Sequence, residues 1–172
     1  MANLTNTPYP FRMFRYITED VKSIMGLPIL HYEHGHPLEI VKTIETMAMD
    51  PQQAALRFPL IGLYEDYDEL HNGNPSSYEV SFHLVIAINT LPEYTSEERS
   101  VINFIPVLQP IYDQFIISTH KSGYFRETNW RKVKCTKTNR MHWGKNSVAN
   151  DFIDAIEITN LKLNINTITT CQ

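Results

Sequence analysis

The hydrophobic pattern of the chain predicts both strands and helices. Apolar residues alternate with other residues over positions 80–88, which is the period of a strand with one face in a core. The opposite face includes Val85 and Ala87, so we expect a neighbour to cover it. The apolar run at residues 58–64 predicts a buried strand that leads into a polar loop over residues 65–77.

A third strand is predicted over residues 152–165, with a change of facing partway along it. Ile156 and Ile158 fall on one face of such a strand, but the later apolar residues fall on the other, namely Leu161, Leu163 and Ile165. A bulge or sharp twist near Thr159 and Asn160 would keep both sets on one side of a sheet.

Two helices are predicted in the first third of the chain. Thr18 is expected to cap a helix that stops at Gly26. Pro37 suits the first position of a second helix, whose apolar residues recur at helical spacing until Asp50.

The longest helix is predicted over residues 96–119. Thr95 and Glu98 have the spacing of a capping box at its start. Pro106 and Pro110 lie inside the helical pattern, and each removes a backbone donor. We therefore expect a kink or a break near residues 105–109.

These elements predict a single α+β domain, in which a mixed or antiparallel sheet packs against the long kinked helix and shorter helices. A chain of 172 residues with 42% hydrophobic residues is long enough to bury a substantial core. We expect an extended N-terminal arm at residues 1–16, because Pro8 and Pro10 disfavour a helix there. The core is placed at residues 17–165 and a flexible tail at residues 166–172.

Composition argues against several classes of protein. No apolar run reaches the roughly 18 residues of a membrane span, and the first residues lack a signal-peptide pattern. Cys135 and Cys171 lack the spacing of a disulfide framework or a zinc site. The nucleophile motif Gly-x-Ser-x-Gly is absent, and six scattered glycines do not form a phosphate loop. We therefore expect a non-enzymatic protein without a cofactor, made in a cytosol.

Charge is distributed unevenly along the chain. Residues 121–145 hold eight basic residues against one acid, so this segment has a net charge of +7 and the remainder has −11. The segment is predicted to be a protruding basic hairpin that binds either polyanions or acids of a second copy. The basic residues are Lys121, Arg126, Arg131, Lys132, Lys134, Lys137, Arg140 and Lys145.

Two polar clusters suggest a metal site at first sight. His31, Glu33, His34 and His36 do not have the HExxH spacing, so a polar loop leading into the helix at Pro37 is the favoured interpretation. The acidic string at residues 65–69 lacks a calcium-loop pattern, because position 5, counted from Asp66 as position 1, is Leu70. We interpret this string as a solvated loop.

Six phrases of the sequence resemble one family of proteins when taken together. They are YEHGHPLEI (32–40), RFPLIGL (57–63), YTSEER (94–99), PVLQPIY (106–112), HWG (142–144) and NDFIDAIEITNL (150–161). The chain resembles the tail-terminator-like ring proteins of the neck and tail in phages of Bacteroidetes hosts, including crAss-like phages. The resemblance extends over about residues 32–165.

This resemblance implies a virion structural protein that is assembled in the bacterial host cytoplasm. It would act as one subunit of a homo-oligomeric ring of six or twelve copies, as a tail terminator or head-tail connector. Adjacent neck or tail rings, or the portal, would be its partners, and DNA would pass without sequence-specific binding. The resemblance implies no catalytic residue, and we expect neither a metal nor a membrane partner.

In such a ring the basic segment would contact acids of the next copy. The candidate interface residues are Lys121, Arg126, Arg131, Lys132, Lys134, Lys137, Arg140, Glu65, Asp66, Asp68 and Glu69. The alternative is a DNA-binding or packaging accessory protein that uses residues 121–145, whose basic and aromatic mixture suits nucleic acid. A metallohydrolase centred on His31, Glu33, His34 and His36 is a third hypothesis.

Overall fold

The computed structural model describes residues 9–71, 77–125, 134–140 and 152–166. These residues form an α+β domain, as predicted. Its strands are β1 (His31–Gly35), β2 (Leu60–Leu70), β3 (Ser77–Asn89), β4 (Thr136–Arg140) and β5 (Ile153–Asn166). Its helices are α1 (Pro10–Met25), α2 (Pro37–Met49), a 3-10 turn (Ala54–Leu56), α3 (Ser96–Arg99), a π-helical segment (Ser100–Leu108) and α4 (Gln109–Lys121).

One mixed sheet contains all five strands in the order β1-β2-β3-β5-β4. β1 is parallel to β2, and the other neighbours are antiparallel. The predicted loop before Pro37 was wrong, because His31–Gly35 is the edge strand β1. β1 consists mainly of polar residues, and its side chains are mostly half-buried. The sequence therefore shows no alternation of apolar and polar residues there.

Each face of the sheet packs against helices of the same chain. α3, the π-helical segment and α4 form one joined helix, which we call the long helix. The first face packs against α1 and the long helix, through residues such as Phe14, Phe82 and Phe115. The second face packs against α2, where Ile40 and Ile44 cover the part of the sheet that includes Val85 and Ala87. The neighbour that was expected to cover the second face is therefore α2 of the same chain.

The predicted change of facing in β5 is confirmed. The register between β3 and β5 shifts after the pair Phe82 and Leu161 and resumes at Leu84 and Ile158. Asn160 lies in this bulge with φ 55°. The one extra residue in β5 returns the apolar side chains on both sides of the bulge to the first face.

The N-terminal arm was predicted wrongly from Pro10 onward, because α1 begins there. Proline is tolerated in the first turn of a helix, where its missing N–H would lack a helical partner. Thr18, the expected cap, lies inside α1 and donates to the Phe14 carbonyl oxygen over 2.8 Å. Gly26 ends the helix in the left-handed conformation, as predicted. Residues 1–8 and 167–172, which include most of the predicted tail, lie outside the described residues.

The other predicted helix starts are confirmed. Pro37 opens α2, and the preceding His36 forms a capping box with Glu39. The long helix starts at the predicted capping box and continues to Lys121 as one joined helix of 26 residues. It does not break between the two prolines; its hydrogen bonding changes from π to α at Gln109.

The described part of each charged segment contributes a strand to the sheet. The loop predicted over residues 65–77 was wrong for residues 65–70 and for Ser77, because β2 continues to Leu70 and β3 begins at Ser77. Residues 72–76 lie outside the described residues, and the two strands that flank them pair in antiparallel fashion. The described part of the basic hairpin does not protrude, because β4 pairs with β5 at the sheet edge. Residues 126–133 and 141–145 of that segment lie outside the described residues.

Candidate functional site

The sheet places the acidic and basic segments on opposite sides. β1 pairs with Leu60 to Tyr64 of β2, so residues 65–70 extend past β1, and no strand in the described ranges pairs with that side of them. We call residues 65–70 the acidic edge. β4 ends the sheet on the other side, and we call this strand together with Lys134 the basic edge.

The acidic edge begins at a β-bulge. The register between β2 and β3 shifts between Tyr64 and Asp68, so three residues of β2 lie opposite Phe82 alone. Such bulges turn a strand edge and redirect its side chains. Glu65, Asp66, Asp68 and Glu69 are all exposed here.

Two of the four acids have histidine partners within the chain. Glu65 Oε1 lies 2.7 Å from His34 Nδ1, which joins β1 to the first residue of the acidic edge. Glu69 Oε2 lies 3.4 Å from His71 Nε2. The sequence showed these acids but not the His34 contact, since that contact depends on the pairing of β1 with β2.

The negative charge of this edge affects neighbouring tyrosines. Burial raises the pKa of Tyr67, and the carboxylates of Glu69 and Glu65 raise it further. The pKa of Tyr78 is raised in the same way, by burial first and then by Glu69. The acidic edge is thus a region of negative potential, which favours a cationic partner.

On the basic edge, two cations contact other parts of the chain. Lys137 Nζ donates to Gln109 Oε1 and lies 4.7 Å from the centroid of the Tyr112 ring. Arg140 Nε lies 2.6 Å from Glu157 Oε2 on β5. A guanidinium has five N–H donors and an ammonium has three, so both groups retain donors for a further partner.

Lys134 and Lys121 are the other described cations of the predicted interface. Lys134 is exposed, and its carbonyl oxygen accepts from the Lys162 backbone N–H at 3.5 Å. Lys121 lies at the end of α4, beside a groove of about 340 Å³ between α1 and α4. The groove is lined by Tyr16, Ile17, Asp20, Ile24, Ser118, Lys121, Ser122 and Tyr124. Arg126, Arg131 and Lys132 lie outside the described residues.

A further titratable group lies on the second face between the two edges. His83 packs edge-on against Tyr64, with 4.5 Å between ring centroids, and its Nε2 is buried without a hydrogen-bond partner in the described part of the chain. Burial lowers the pKa of His83. Sequence reasoning missed this group, although the alternation of β3 already placed His83 on the face of Val85.

The histidine cluster near β1 is divided among separate contacts. His31 Nε2 lies 3.6 Å from Glu33 Oε2, while His34 contacts Glu65 and His36 caps α2. Side chains of adjacent strand residues point to opposite faces, which separates Glu33 from His34. Within the described residues, no group of three or more His, Cys, Asp or Glu is arranged to hold a metal ion.

Comparisons with known proteins add no family to these observations. No protein-family model matches the chain, and no curated protein matches it in sequence. None of the helices within the described ranges is both long enough and apolar enough to span a membrane. The oppositely charged sheet edges are therefore the feature on which a function can be argued.

Proposed function

We propose that the chain is a virion structural protein, one subunit of a homo-oligomeric ring at the neck or tail of a phage. It acts by assembly, as a tail terminator or head-tail connector, and the ring forms part of the DNA passage. The observation that supports this proposal is the position of the acidic and basic edges on opposite sides of one sheet. The resemblance of the six sequence phrases supplies the virion context.

Opposite edges with opposite charge suit a ring. In a cyclic assembly each copy uses two different patches, and each patch binds the other kind on its neighbour. A two-fold dimer would instead bring identical patches together. The acidic and basic edges attract each other and repel their own kind, so the charge pattern favours the cyclic arrangement.

The proposed partners are other copies of the chain, together with adjacent neck or tail rings or the portal. DNA would pass through the channel without sequence-specific binding.

Native mass spectrometry and light scattering over a range of concentrations test this proposal. We expect a discrete closed oligomer of six or twelve copies. Lys134→Glu should weaken the oligomer, because it places an acid against the acidic edge of the next copy. Lys42→Glu is the matched control, since it makes the same charge change on the exposed surface of α2. Both variants should keep the circular-dichroism spectrum of the wild-type protein.

Two results would contradict the ring. The first is a monomer at every concentration that binds DNA with an affinity that falls steeply as salt rises, which is the behaviour of a DNA-binding accessory protein. The second is equal weakening of the oligomer by Lys134→Glu and Lys42→Glu, because net charge rather than the basic edge would then control assembly.

A further inference from the structure

We propose that β4 of one copy pairs in antiparallel fashion with the acidic edge of the next copy, so that the sheet continues from subunit to subunit. This inference rests on the proposed function for the identity of its partner, a second copy of the chain. It adds the backbone contact, the direction of the strands and their register.

Both edges have backbone groups available for such pairing. A strand at a sheet edge presents a row of N–H and C=O groups, which are a template for another strand. In the described ranges, no strand pairs with the outer side of β4 or with the outer side of residues 65–70. The acidic edge offers six residues beyond β1, and β4 supplies five.

Strand direction favours the pairing. β4 runs antiparallel to β5, β5 runs antiparallel to β3, and β3 runs antiparallel to β2. β4 and β2 therefore run in opposite directions within one sheet. A neighbour added edge to edge in the same orientation presents its β2 antiparallel to β4, the arrangement with the better hydrogen-bond geometry.

One register satisfies both the faces of the sheet and the charges. Lys137 and Glu69 point to the first face, because their partners Ile158 and Val80 belong to the core there. If Lys137 lies opposite Glu69 of the next copy, antiparallel counting places Arg140 opposite Asp66.

The same register gives three further facing pairs. Thr138 lies opposite Asp68, Asn139 opposite Tyr67, and Thr136 opposite Leu70. All five residues of β4 are then matched, with two opposite-charge pairs and no like-charge pair. Directly opposed charges of opposite sign stabilise a sheet, and like charges destabilise it. A shift by one residue would point side chains to the wrong face.

The register also fixes the offset between copies. Within one chain, Thr138 pairs with Glu157, which pairs with Val85. Val85 in turn pairs with Gly62, so Thr138 and Gly62 lie at the same height along the strands. Asp68 of the next copy pairs with Ser81, four residues from Val85 along β3. β4 of the neighbour would occupy the position beside β2 that β1 occupies at residues 60–64, so each copy adds four strand spacings to the continuous sheet. The offset is roughly 13 Å over a width of about 19 Å, given the usual rise and spacing of strands. The strands would tilt by about 35° from the ring axis, within the range found in closed barrels.

Disulfide trapping tests the register. Leu70→Cys and Thr136→Cys are introduced together into a chain whose two native cysteines are replaced by serine; both positions are exposed, and neither substitution removes a charge. Facing cysteines on paired strands fall within disulfide distance. We expect mild oxidation to produce a ladder of covalently joined copies that a reducing agent abolishes. Mixing the two single variants should give covalent dimers only.

The controls separate this inference from the proposed function. Each single variant alone should give no cross-link, whereas a two-fold pairing of identical edges would cross-link one of them. Gln52→Cys combined with Leu70→Cys should also stay uncrosslinked, since Gln52 lies in an exposed turn after α2. If the cysteine-free chain forms a discrete ring but the Leu70 and Thr136 pair gives no ladder, the strand pairing is wrong and the ring stands. A cysteine-free chain that remains monomeric overturns both.

Discussion

At the residue scale, a buried ion pair joins Arg99 to Asp154. Both side chains are 0% exposed, and Arg99 Nη1 lies 3.1 Å from Asp154 Oδ1. Asn103 donates to the other carboxylate oxygen over 2.6 Å, and Thr90 Oγ1 accepts from both donors. This network joins the start of the long helix to the start of β5.

Removing the carboxylate should destabilise the fold strongly. We expect Asp154→Ala to lower the free energy of unfolding by about 3–5 kcal/mol, because it leaves the Arg99 charge buried without its partner. Urea titration measures the change. Asp113→Ala, on the exposed surface of α4, is the control and should change the value by less than about 0.5 kcal/mol. A small effect at Asp154 would show that water or a rearranged side chain satisfies Arg99.

His83 should make stability depend on pH. Burial is the main cause of its lowered pKa; Arg140 lowers it further, whereas Glu157 and Asp66 oppose the shift. A histidine with a lowered pKa in the folded state binds protons more readily when unfolded, so stability falls as pH drops below its ordinary value of about 6.5. Between about pH 7 and 5.5, His83→Gln should therefore lose less stability than the wild type. His71→Gln, at an exposed site, should behave like the wild type. An NMR titration that gives His83 an ordinary or raised pKa would contradict this.

At the scale of elements, the bulge in β5 depends on one backbone conformation. Asn160 adopts φ 55°, a left-handed conformation that asparagine tolerates better than most residues. We expect Asn160→Val to cost about 1–2 kcal/mol of unfolding free energy, and Asn160→Gly to change it little. Thermal or urea unfolding of the two variants provides the comparison. Equal stability of the two variants would show that the bulge relaxes without the left-handed residue.

The elements that could be predicted from the sequence are those with local signals. The alternation of apolar residues predicted β3, and the change in which positions are apolar predicted the β5 bulge. Pro37 predicted the start of α2, and the capping box predicted the start of the long helix. β1 and the second half of β2 were missed because they are polar and their pairing depends on residues distant in the chain. The start of α1 was missed because a proline excludes the interior of a helix but not its first turn.

At the scale of the whole molecule, the strand order determines where the acidic and basic edges lie relative to each other. The sequence predicted a basic segment and an acidic segment, but not their relative position. β5, the last of the described strands along the chain, lies between β3 and β4. This insertion moves the basic edge to the side of the sheet opposite the acidic edge, which adjacency along the chain would not have predicted.

Assembly through these edges should weaken as salt increases. The proposed contacts are partly exposed charge pairs, which ions screen over a distance of roughly 10 Å at 0.1 M salt. An alternative contact between copies is the apolar surface of the π-helical segment, where Val101 is 62% and Ile105 is 66% exposed. Contacts of that kind are insensitive to simple screening and are strengthened by sulfate.

We expect the concentration at which half of the protein is assembled to rise between about 0.05 and 0.5 M sodium chloride. Analytical ultracentrifugation measures this midpoint, and Ile105→Ser should leave the salt dependence intact. A midpoint that falls in salt, and is raised by Ile105→Ser, would place the contact on the long helix instead of the sheet edges.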